Sequence, residues 1–567
     1  MSVQVIAGAD PKPLVKLLET TWLDRAVLWL DPQRGMNRIR CRTSARLAEH
    51  FTRSAVGGAA GNRLRIDWTS NTTTLDAALR QDRARIRNIV RDLCLGNPYA
   101  AGARNRVRAN VVSTGITPQC AVQMDTPESE PDIPPPGWRP ISEREAHRFE
   151  MQAEKLWDEI AESADVEGDS SIYEMQGIVQ DGLEESGEIL VHWPRLKRKG
   201  HPVGFGVELI EVDRLSTPTT KWNDPNIRDG VEVDPATGET VAYWVVDVHP
   251  GDDLAQRTGK YTRIPRWYDD GTPRMKLLYY KRRPGQKRGY SSYAPCLEIF
   301  EDLHRYWEAE LVAARVAACY AAFVTSPVAG PMQVAAGTVD TQGKRREKLE
   351  PGLIWYGAPG EDVSFGDPKR PNSAFGSFTE ILLRSIGVCQ DLPYELIALN
   401  FSMTNYSSAR AALLEARRTF QTKQRFQVNG FGRDTWRMAM REGIASGRLD
   451  APGFAGRQLD WLAATWTPPG WGWVDPVDEE TAARESIRGF LSSHADECAA
   501  QGKDFDTLAE KCSREHKKLK ELGLPSPWDA IAPGAALRDP KSVAKPGEKP
   551  AKEPAKEPVK EEANAEA

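Results

Sequence analysis

Leu392-Pro393-Tyr394-Glu395-Leu396-Ile397-Ala398-Leu399-Asn400-Phe401-Ser402-Met403-Thr404-Asn405-Tyr406-Ser407-Ser408-Ala409-Arg410 joins two helix-like segments through a connection that is apolar first, polar afterwards, and free of Gly. Surface connections are normally rich in Gly, Pro or polar turn residues, because the chain must turn while its backbone stays hydrated. After Pro393 this one carries Tyr, Leu, Ile, Phe and Met, then an Asn and Ser cluster able to cap the next helix. The basic stretch Ala411-Ala412-Leu413-Leu414-Glu415-Ala416-Arg417-Arg418 follows at once. A loop of this composition is expected to touch something.

Before it, a long helix is predicted over 293–322, with Leu297, Phe300, Leu303, Trp307 and Leu311 along one stripe. Its second half, Ala313 to Ala322, is dominated by small residues, which let neighbouring helices approach closely. At the helical rise it would be about 45 Å long. An insert over 323–372 is read as strands and turns, with strands at Leu353-Ile354-Trp355-Tyr356 and Val363-Ser364-Phe365. The basic run Lys344-Arg345-Arg346-Glu347-Lys348 is placed at its exposed tip. A shorter helix over Ser373 to Val388 leads into the loop, and a basic helix from Ser407 to about Ala445 leaves it.

Further out, Leu75, Leu79, Ile86, Ile89, Val90 and Leu93 recur at helical spacing with Arg80, Arg83, Arg85 and Arg87 between them. Asn97-Pro98-Tyr99 breaks the pattern, and a second helix is predicted through Ala101 to Val112. The Pro-rich stretch from Pro127 to Pro140 reads as a linker. Residues 141 to about 290 mix two helices with strands such as Gly187 to Trp193 and Val241 to Val248, an α+β pattern. Trp461, Trp466, Trp471 and Trp473 gather around Pro468-Pro469-Gly470, and a helical module broken near Gly502 runs from Glu479 to Leu522. Residues before about 75 read as an arm that orders against something else. The Ala-Lys-Glu-Pro repeats after Lys541 lack large apolar residues apart from Val and read as a disordered tail.

Composition narrows the function. At 567 residues the chain exceeds one hydrophobic core, so several subdomains are expected. No segment approaches the roughly 20 apolar residues of a membrane span. The first ten residues lack a basic region followed by an apolar core, so no secretory signal is read. Eight scattered cysteines without a C-x-x-C pair favour reduced thiols over a disulfide framework or zinc site. A net charge of -5 argues against a protein that coats nucleic acid.

Candidate chemistry is sparse. No G-x-x-x-x-G-K-[ST] occurs, so the phosphate cradle of a P-loop motor is missing. Gly204-Phe205-Gly206 lacks the third glycine of a dinucleotide fingerprint and reads as a turn before a strand. The histidines are isolated, and His304 is expected to pack on its helix. Glu211 and Asp213 could share a strand face and hold a nuclease metal, but a solvated sheet edge explains them better. Met438 and Met440 beside Trp436 suggest a core or subunit contact. The basic clusters Arg195 to Lys199 and Lys281 to Arg288 could meet nucleic acid, or equally form solvated loops or a salt-bridged seam. No catalytic residue, cofactor or metal is assigned.

A series of phrases in fixed order carries a family resemblance. They are Asn97-Pro98-Tyr99-Ala100, Val111-Val112-Ser113-Thr114-Gly115-Ile116, Gly187-Glu188-Ile189-Leu190 and Leu209-Ile210-Glu211-Val212-Asp213-Arg214-Leu215. Arg283-Pro284-Gly285-Gln286-Lys287-Arg288-Gly289, Glu308-Ala309-Glu310-Leu311-Val312-Ala313-Ala314 and Pro351-Gly352 follow. Leu392 to Leu396, Asn405 to Arg410 and Trp473-Val474-Asp475-Pro476 complete the set. Over roughly residues 75 to 525 the chain resembles the lambda-type bacteriophage portal proteins.

The resemblance implies an α+β portal fold of wing, stem, clip and crown in a homododecameric ring. It lays out an arm (1–74), a wing (75–292), a stem helix (293–322), a clip (323–372) and a second stem helix (373–390). A tunnel loop (391–406), a long helix with the remaining wing (407–478), a crown (479–530) and the tail (531–567) follow. Leu399, Phe401, Met403 and Asn405 would face double-stranded DNA in the channel, and Lys344, Arg345 and Arg346 would dock a partner at the clip. Terminase, the major capsid protein and head-completion or adaptor proteins are the implied partners, in the virion and in host cytoplasm during assembly. A nuclease or terminase-type enzyme, and a capsid protein without a channel, are the rival readings.

Overall fold

The computed structural model describes residues 73–124, 136–252, 259–319, 375–402, 405–472 and 476–526, with short strands at 323–325, 338–339, 345–346 and 362–364. The expected arm up to residue 72, the linker up to Pro135, the tail, Met403, Trp473, Lys344 and the strand expected at Leu353 to Tyr356 lie outside these residues. The chain divides into two compact units, Met1–Gly502 and Lys503–Ala567, so the boundary falls inside the segment expected as one crown.

The first unit opens with helices α1 (Leu75–Leu79), α2 (Arg83–Gly96) and α3 (Pro98–Val111). Asn97 is a junction rather than a mere breaker. Its Oδ1 accepts from Tyr99 N at 2.9 Å and Ala100 N at 3.2 Å, capping α3. Pro98 fills the first turn, where a missing N–H leaves nothing unsatisfied. Strand β1 (Thr117–Cys120) precedes α4 (Glu143–Ala161) and α5 (Ile172–Glu185). Both helices start at capping boxes. In the second, Ser171 Oγ accepts from Glu174 N at 3.2 Å while the Glu174 carboxylate accepts from Ser171 N at 2.7 Å.

Two antiparallel sheets follow. Strands β2 (Glu188–His192) and β3 (Glu208–Ile210) belong to one, and β4 (Ile227–Arg228), β5 (Val231–Val233), β6 (Thr240–Val246) and β7 (Tyr261–Pro265) form the other in sequence order. Strand β8 (Met275–Tyr279) returns to the first sheet, giving the order β3-β2-β8. Alternation along β2 feeds two cores: Ile189 and Val191 join the α4–α5 cluster, while Leu190 joins the cluster between the sheets.

Helix α6 (Leu297–Cys319) is entered through one 3-10 turn at Ala294–Cys296. His304 is exposed on it, not packed, because the buried stripe is carried by Leu297, Phe300 and Leu303. Strand β9 (Phe323–Thr325) leaves this helix, and β10 (Thr338–Val339) pairs with β11 (Arg345–Arg346). Strand β12 (Asp362–Ser364) pairs back onto β9. The insert therefore leaves and returns as paired strands, and Arg345 and Arg346 lie in a hairpin arm instead of a plain turn.

Helix α7 (Phe375–Gln390), a short α8 (Tyr394–Ala398) and α9 (Tyr406–Gln427) come next. A π turn, Val428–Gly432, connects α9 to α10 (Arg433–Ala445) without a break in direction of the chain's helical winding. Here Lys276 Nζ donates to Gly430 O at 3.1 Å and pairs with Asp434 at 2.6 Å. Freed carbonyls are the usual liability of such a turn. Helix α11 (Gln458–Trp461) and β13 (Ala464–Thr467), which pairs with β1, follow α10. Helices α12 (Pro476–Arg488) and α13 (His494–Ala500) end the first unit. The second unit holds α14 (Phe505–Glu521), capped by Asp504, whose Oδ1 accepts from Thr507 N at 2.7 Å.

Among the described residues the buried apolar side chains fall into three clusters. One joins α4, α5, β2 and α10 around Phe149, Trp157, Trp436 and Trp461, with Met438 and Met440 fully buried, the core alternative of the two readings offered for them. A second joins α2, α3, the start of α6, α7, α8 and α9. The third lies between the sheets. Arg288 and Glu188 bridge them as a buried ion pair at 2.6 Å, and Glu188 also accepts from Gly289 N at 2.7 Å. Removing one member of such a pair leaves a charge buried without a partner. Arg288→Met should therefore destabilise the fold by about 3–5 kcal/mol. The double change Arg288→Met with Glu188→Leu should recover much of that loss, as read by denaturant unfolding.

Candidate functional site

The loop that opened the sequence reading is a built structure. Helix α7 ends at Asp391, whose φ of 54° is left-handed, and Leu392 N closes the end onto Gly387 O at 2.9 Å. Gly387 is required there, since a Cβ would lie 2.5 Å from the Leu392 carbonyl oxygen. Pro393 then caps α8, accepting from Leu396 N at 3.0 Å and Ile397 N at 3.2 Å. The expected irregular connection thus contains a one-turn helix, because Pro393 fixes its start and buried Ile397 and Leu392 anchor it in the core.

Leu399 ends that helix at φ 50°, a left-handed conformation disfavoured for a branched side chain by about 1–2 kcal/mol. The turn leaves its side chain 61% exposed, and Phe401 47% exposed. Asn400 holds the tip in shape by accepting from Ser402 N at 3.1 Å and Ser402 Oγ at 2.6 Å. Asn405 then caps α9, accepting from Ser408 N at 2.8 Å. One lone pair of its oxygen is engaged in that cap, and its amide N–H groups and the second lone pair are left for other partners. Beneath the tip lies a cleft of about 250 Å³ lined by Glu380, Arg384, Tyr394, Glu395, Asn405 and Ser408, among others. Arg384 pairs with Glu380 at 2.6 Å and lies 5.4 Å over the Tyr394 ring.

The base of the loop is tied by a buried carboxylate. Glu184 on α5 is 1% exposed and accepts from Lys423 Nζ of α9 at 2.6 Å and from Gln180 Nε2 at 2.8 Å. Ser292 Oγ, before α6, lies 2.7 Å from Glu184 Oε2 and 3.2 Å from Gln390 Oε1 at the end of α7. From the sequence, Glu184-Glu185 reads as an acidic pair on a solvated edge, or less readily as metal ligands. Glu184 is instead buried, and the adjacent pair carries no sign of its partners, which are up to 239 residues away.

Of the conspicuous arginines of the N-terminal helices, Arg83 and Arg87 are buried, Arg80 and Arg85 are exposed, and several are paired with acids. Arg83 pairs with Asp229 at 2.6 Å, Arg87 and Arg91 each with Asp213 at 2.8 Å, and Arg108 with Asp181 at 2.9 Å; Arg104 pairs with Glu185. Arg195 is held by Asp270 and Glu442, and Arg198 by the Asp165, Ser163 and Ala164 carbonyls. Glu211 and Asp213 do not share a strand face, since β3 stops at Ile210 and Asp213 lies in a 3-10 turn. With His249 they form the one cluster of potential metal ligands among the described residues. Two guanidiniums already neutralise Asp213, so a divalent cation would have to displace them. Burial pushes the Asp213 carboxyl up, but Arg87 and Arg91 outweigh it and hold it below the usual carboxylate range.

Among the described residues no helix is long and apolar enough to cross a membrane. A family model described as phage portal protein, lambda family, matches residues 61–424. This chain belongs to that family. The probable portal protein of Halomonas phage phiHAP-1 is 26% identical over 486 residues, covering 83% of this chain and 88% of its own. The portal protein of Escherichia phage N15 is 25% identical over 86% of this chain and 94% of its own, and portal protein B of Escherichia phage lambda 24% over 87% and 94%. Among solved structures, a chain from the neck of a native gene transfer agent particle aligns with 75% of this one and 94% of its own, at 11% identity and TM-score 0.38. The lambda-family portal proteins, this chain among them, are structural proteins and not enzymes.

A carboxyl held below its ordinary value stabilises the fold at every pH above about 4 and ceases to do so as the pH falls through its own lower value. The portal's apparent Tm should thus fall on acidification below about pH 4. Asp213→Asn should lower Tm at pH 7, where Arg87 and Arg91 lose their partner, and flatten the acid limb. Parallel wild-type and variant curves would contradict the assignment.

Proposed function

We propose that twelve copies form a ring at one capsid vertex, through which double-stranded DNA enters during packaging and leaves at ejection. In this reading α6 and α7 are the stem pair, the 323–372 hairpin arm is the clip, and residues 479–530 form the crown. The 391–406 loop projects into the channel, with Leu399, Phe401 and Met403 presented to the duplex and Asn405 at its return. The observation that carries the reading is the exposed, uncharged tip of that loop, held by left-handed Asp391 and Leu399 over a base tied to Glu184.

The electrostatics support it. DNA binding strengthens with each phosphate neutralised, so a channel lined with fixed cations would hold the duplex in place. Twelve copies at -5 each carry a formal charge of about -60, which repels DNA at long range. Contact is then local and apolar, able to brace DNA without gripping it. The work of packaging comes from terminase docked at the clip through Lys344, Arg345 and Arg346, and head-completion or adaptor proteins replace it afterwards. Seating in the head brings the ring against the major capsid protein, and assembly precedes this in host cytoplasm.

Replacing residues 397–404 with a Gly-Ser linker should leave rings of the same mass by mass photometry yet shorten or destabilise packaged DNA. Full-length, stably held DNA in particles carrying that variant would sink the channel role of the loop. Reversing Lys344, Arg345 and Arg346 to Glu should impair packaging while rings persist; unchanged packaging would put terminase docking elsewhere on the arm.

A further inference from the structure

Phe490 and Leu491, just beyond α12, are 96% and 86% exposed, the most exposed adjacent pair of large apolar residues among those described. They are not a fraying end. Gly489 N donates to Glu485 O at 2.9 Å and Leu491 N to Ser486 O at 2.9 Å, closing the helix end. Phe490 occupies the left-handed position of that turn at φ 58°, a place normally taken by Gly. The turn thus holds two apolar side chains out in water as a fixed knob.

A few residues earlier the same helix lines a socket. A cleft of about 300 Å³ between α9 and α12 is floored by Leu413, Leu414, Ala482 and Ala483 and rimmed by Arg410 and Glu479. Leu414 is 50% exposed within it. Neither α12 nor α13 contains a buried residue. Helices of 13 and 7 residues whose side chains are at most half-buried gain little from packing within the subunit. Both signs of charge surround each element. Arg410, Arg417, Glu479 and Glu497 line the socket, and the Glu485–Arg488 pair and Asp496 flank the knob. Docking one on the other therefore opposes no net like charges.

We propose that Phe490 and Leu491 of one subunit insert into the α9–α12 socket of its neighbour in the ring. The occupant is a second copy, because every subunit carries both an uncovered knob and an uncovered socket. Such a head-to-tail contact between different surfaces is what closes a rotationally symmetric ring. The inference rests on ring assembly and adds to it a specific seam between neighbouring α12 helices.

The test uses the full-length ring, with its mass confirmed by mass photometry, carrying Leu414→Cys and Leu491→Cys together. Mild oxidation should give a ladder of covalent multimers on a non-reducing gel, while either single variant stays monomeric. Intact rings that yield no ladder, or crosslinks confined to one chain or to another virion protein, overturn the proposal while ring assembly stands. Absence of rings from the unmodified protein would instead overturn the ring reading itself. Phe490→Ser with Leu491→Ser should raise the protein concentration at which rings half-dissociate at least tenfold, with unchanged circular dichroism. Rings of unaltered stability overturn the seam; if that variant loses helical signal, the crosslink decides.

Discussion

The Glu184 carboxylate is buried at the point where α5, the entry to α6, the end of α7 and the last turns of α9 converge. A carboxylate so placed is tolerable only while its hydrogen bonds and counter-ion are complete. Lys423, Gln180 and Ser292 complete it, and Gln390 joins through Ser292. Moving any of the four elements would strand a charge or a hydroxyl. The apolar cluster of α2, α3, α6, α7 and α9 supplies most of the burial in this region, but burial is non-directional. The carboxylate supplies direction, fixing how the two long helices leave the body and where the loop between α7 and α9 begins and ends.

The π turn serves the same end from the other side. Gly430 lets the chain approach β8, where a Cβ would come within 3.0 Å of Leu278, and Gly432 lets it approach Trp466, where a Cβ would come within 2.8 Å. Close approach brings Lys276 from β8 onto the widened turn's carbonyls. The shift of register also places Gln427 against the Gln176 carbonyl, joining α9 to α5 a second time. A regular helix through 428–432 would leave Gly430 and Gly432 as plain weak points. Here they are what allows α9 and α10 to pack on a sheet and an aromatic cluster together.

Much of this was legible in the sequence because it is local. The helices of 75–111, the strands around Leu190 and Tyr243 and the α7–α9 framing of the loop follow from apolar spacing. Caps such as Asn405 follow from residue type. What stayed hidden depends on partners far along the chain. Arg83 meets Asp229 across 146 residues, and nothing local distinguishes this paired arginine from one facing DNA. His304 was misjudged because neighbours in sequence on a helix point in different directions. The one-turn helix inside the loop escaped because four or five apolar residues fit a helix, a strand or a bare connection equally well.

These hidden pairings also bear on the proposed channel, since the chain carries 75 basic residues. Several charges on α2 and α3 that could reach phosphates are instead paired within the subunit, Arg87 and Arg91 with Asp213, Arg83 with Asp229, Arg108 with Asp181 and Arg104 with Glu185. Each pair contributes little to stability where it is exposed and more where it is buried, as at Arg83 and Arg87. The shared effect is that these cations are already neutralised within the subunit. With them internalised, the part of the proposed channel element that stands free is Leu399, Phe401 and the Asn400–Ser402 turn, none of which can neutralise a phosphate. A contact made by such groups depends on shape, not on salt. It can press on any sequence of duplex with equal weakness, which suits a substrate that must pass through in its entirety.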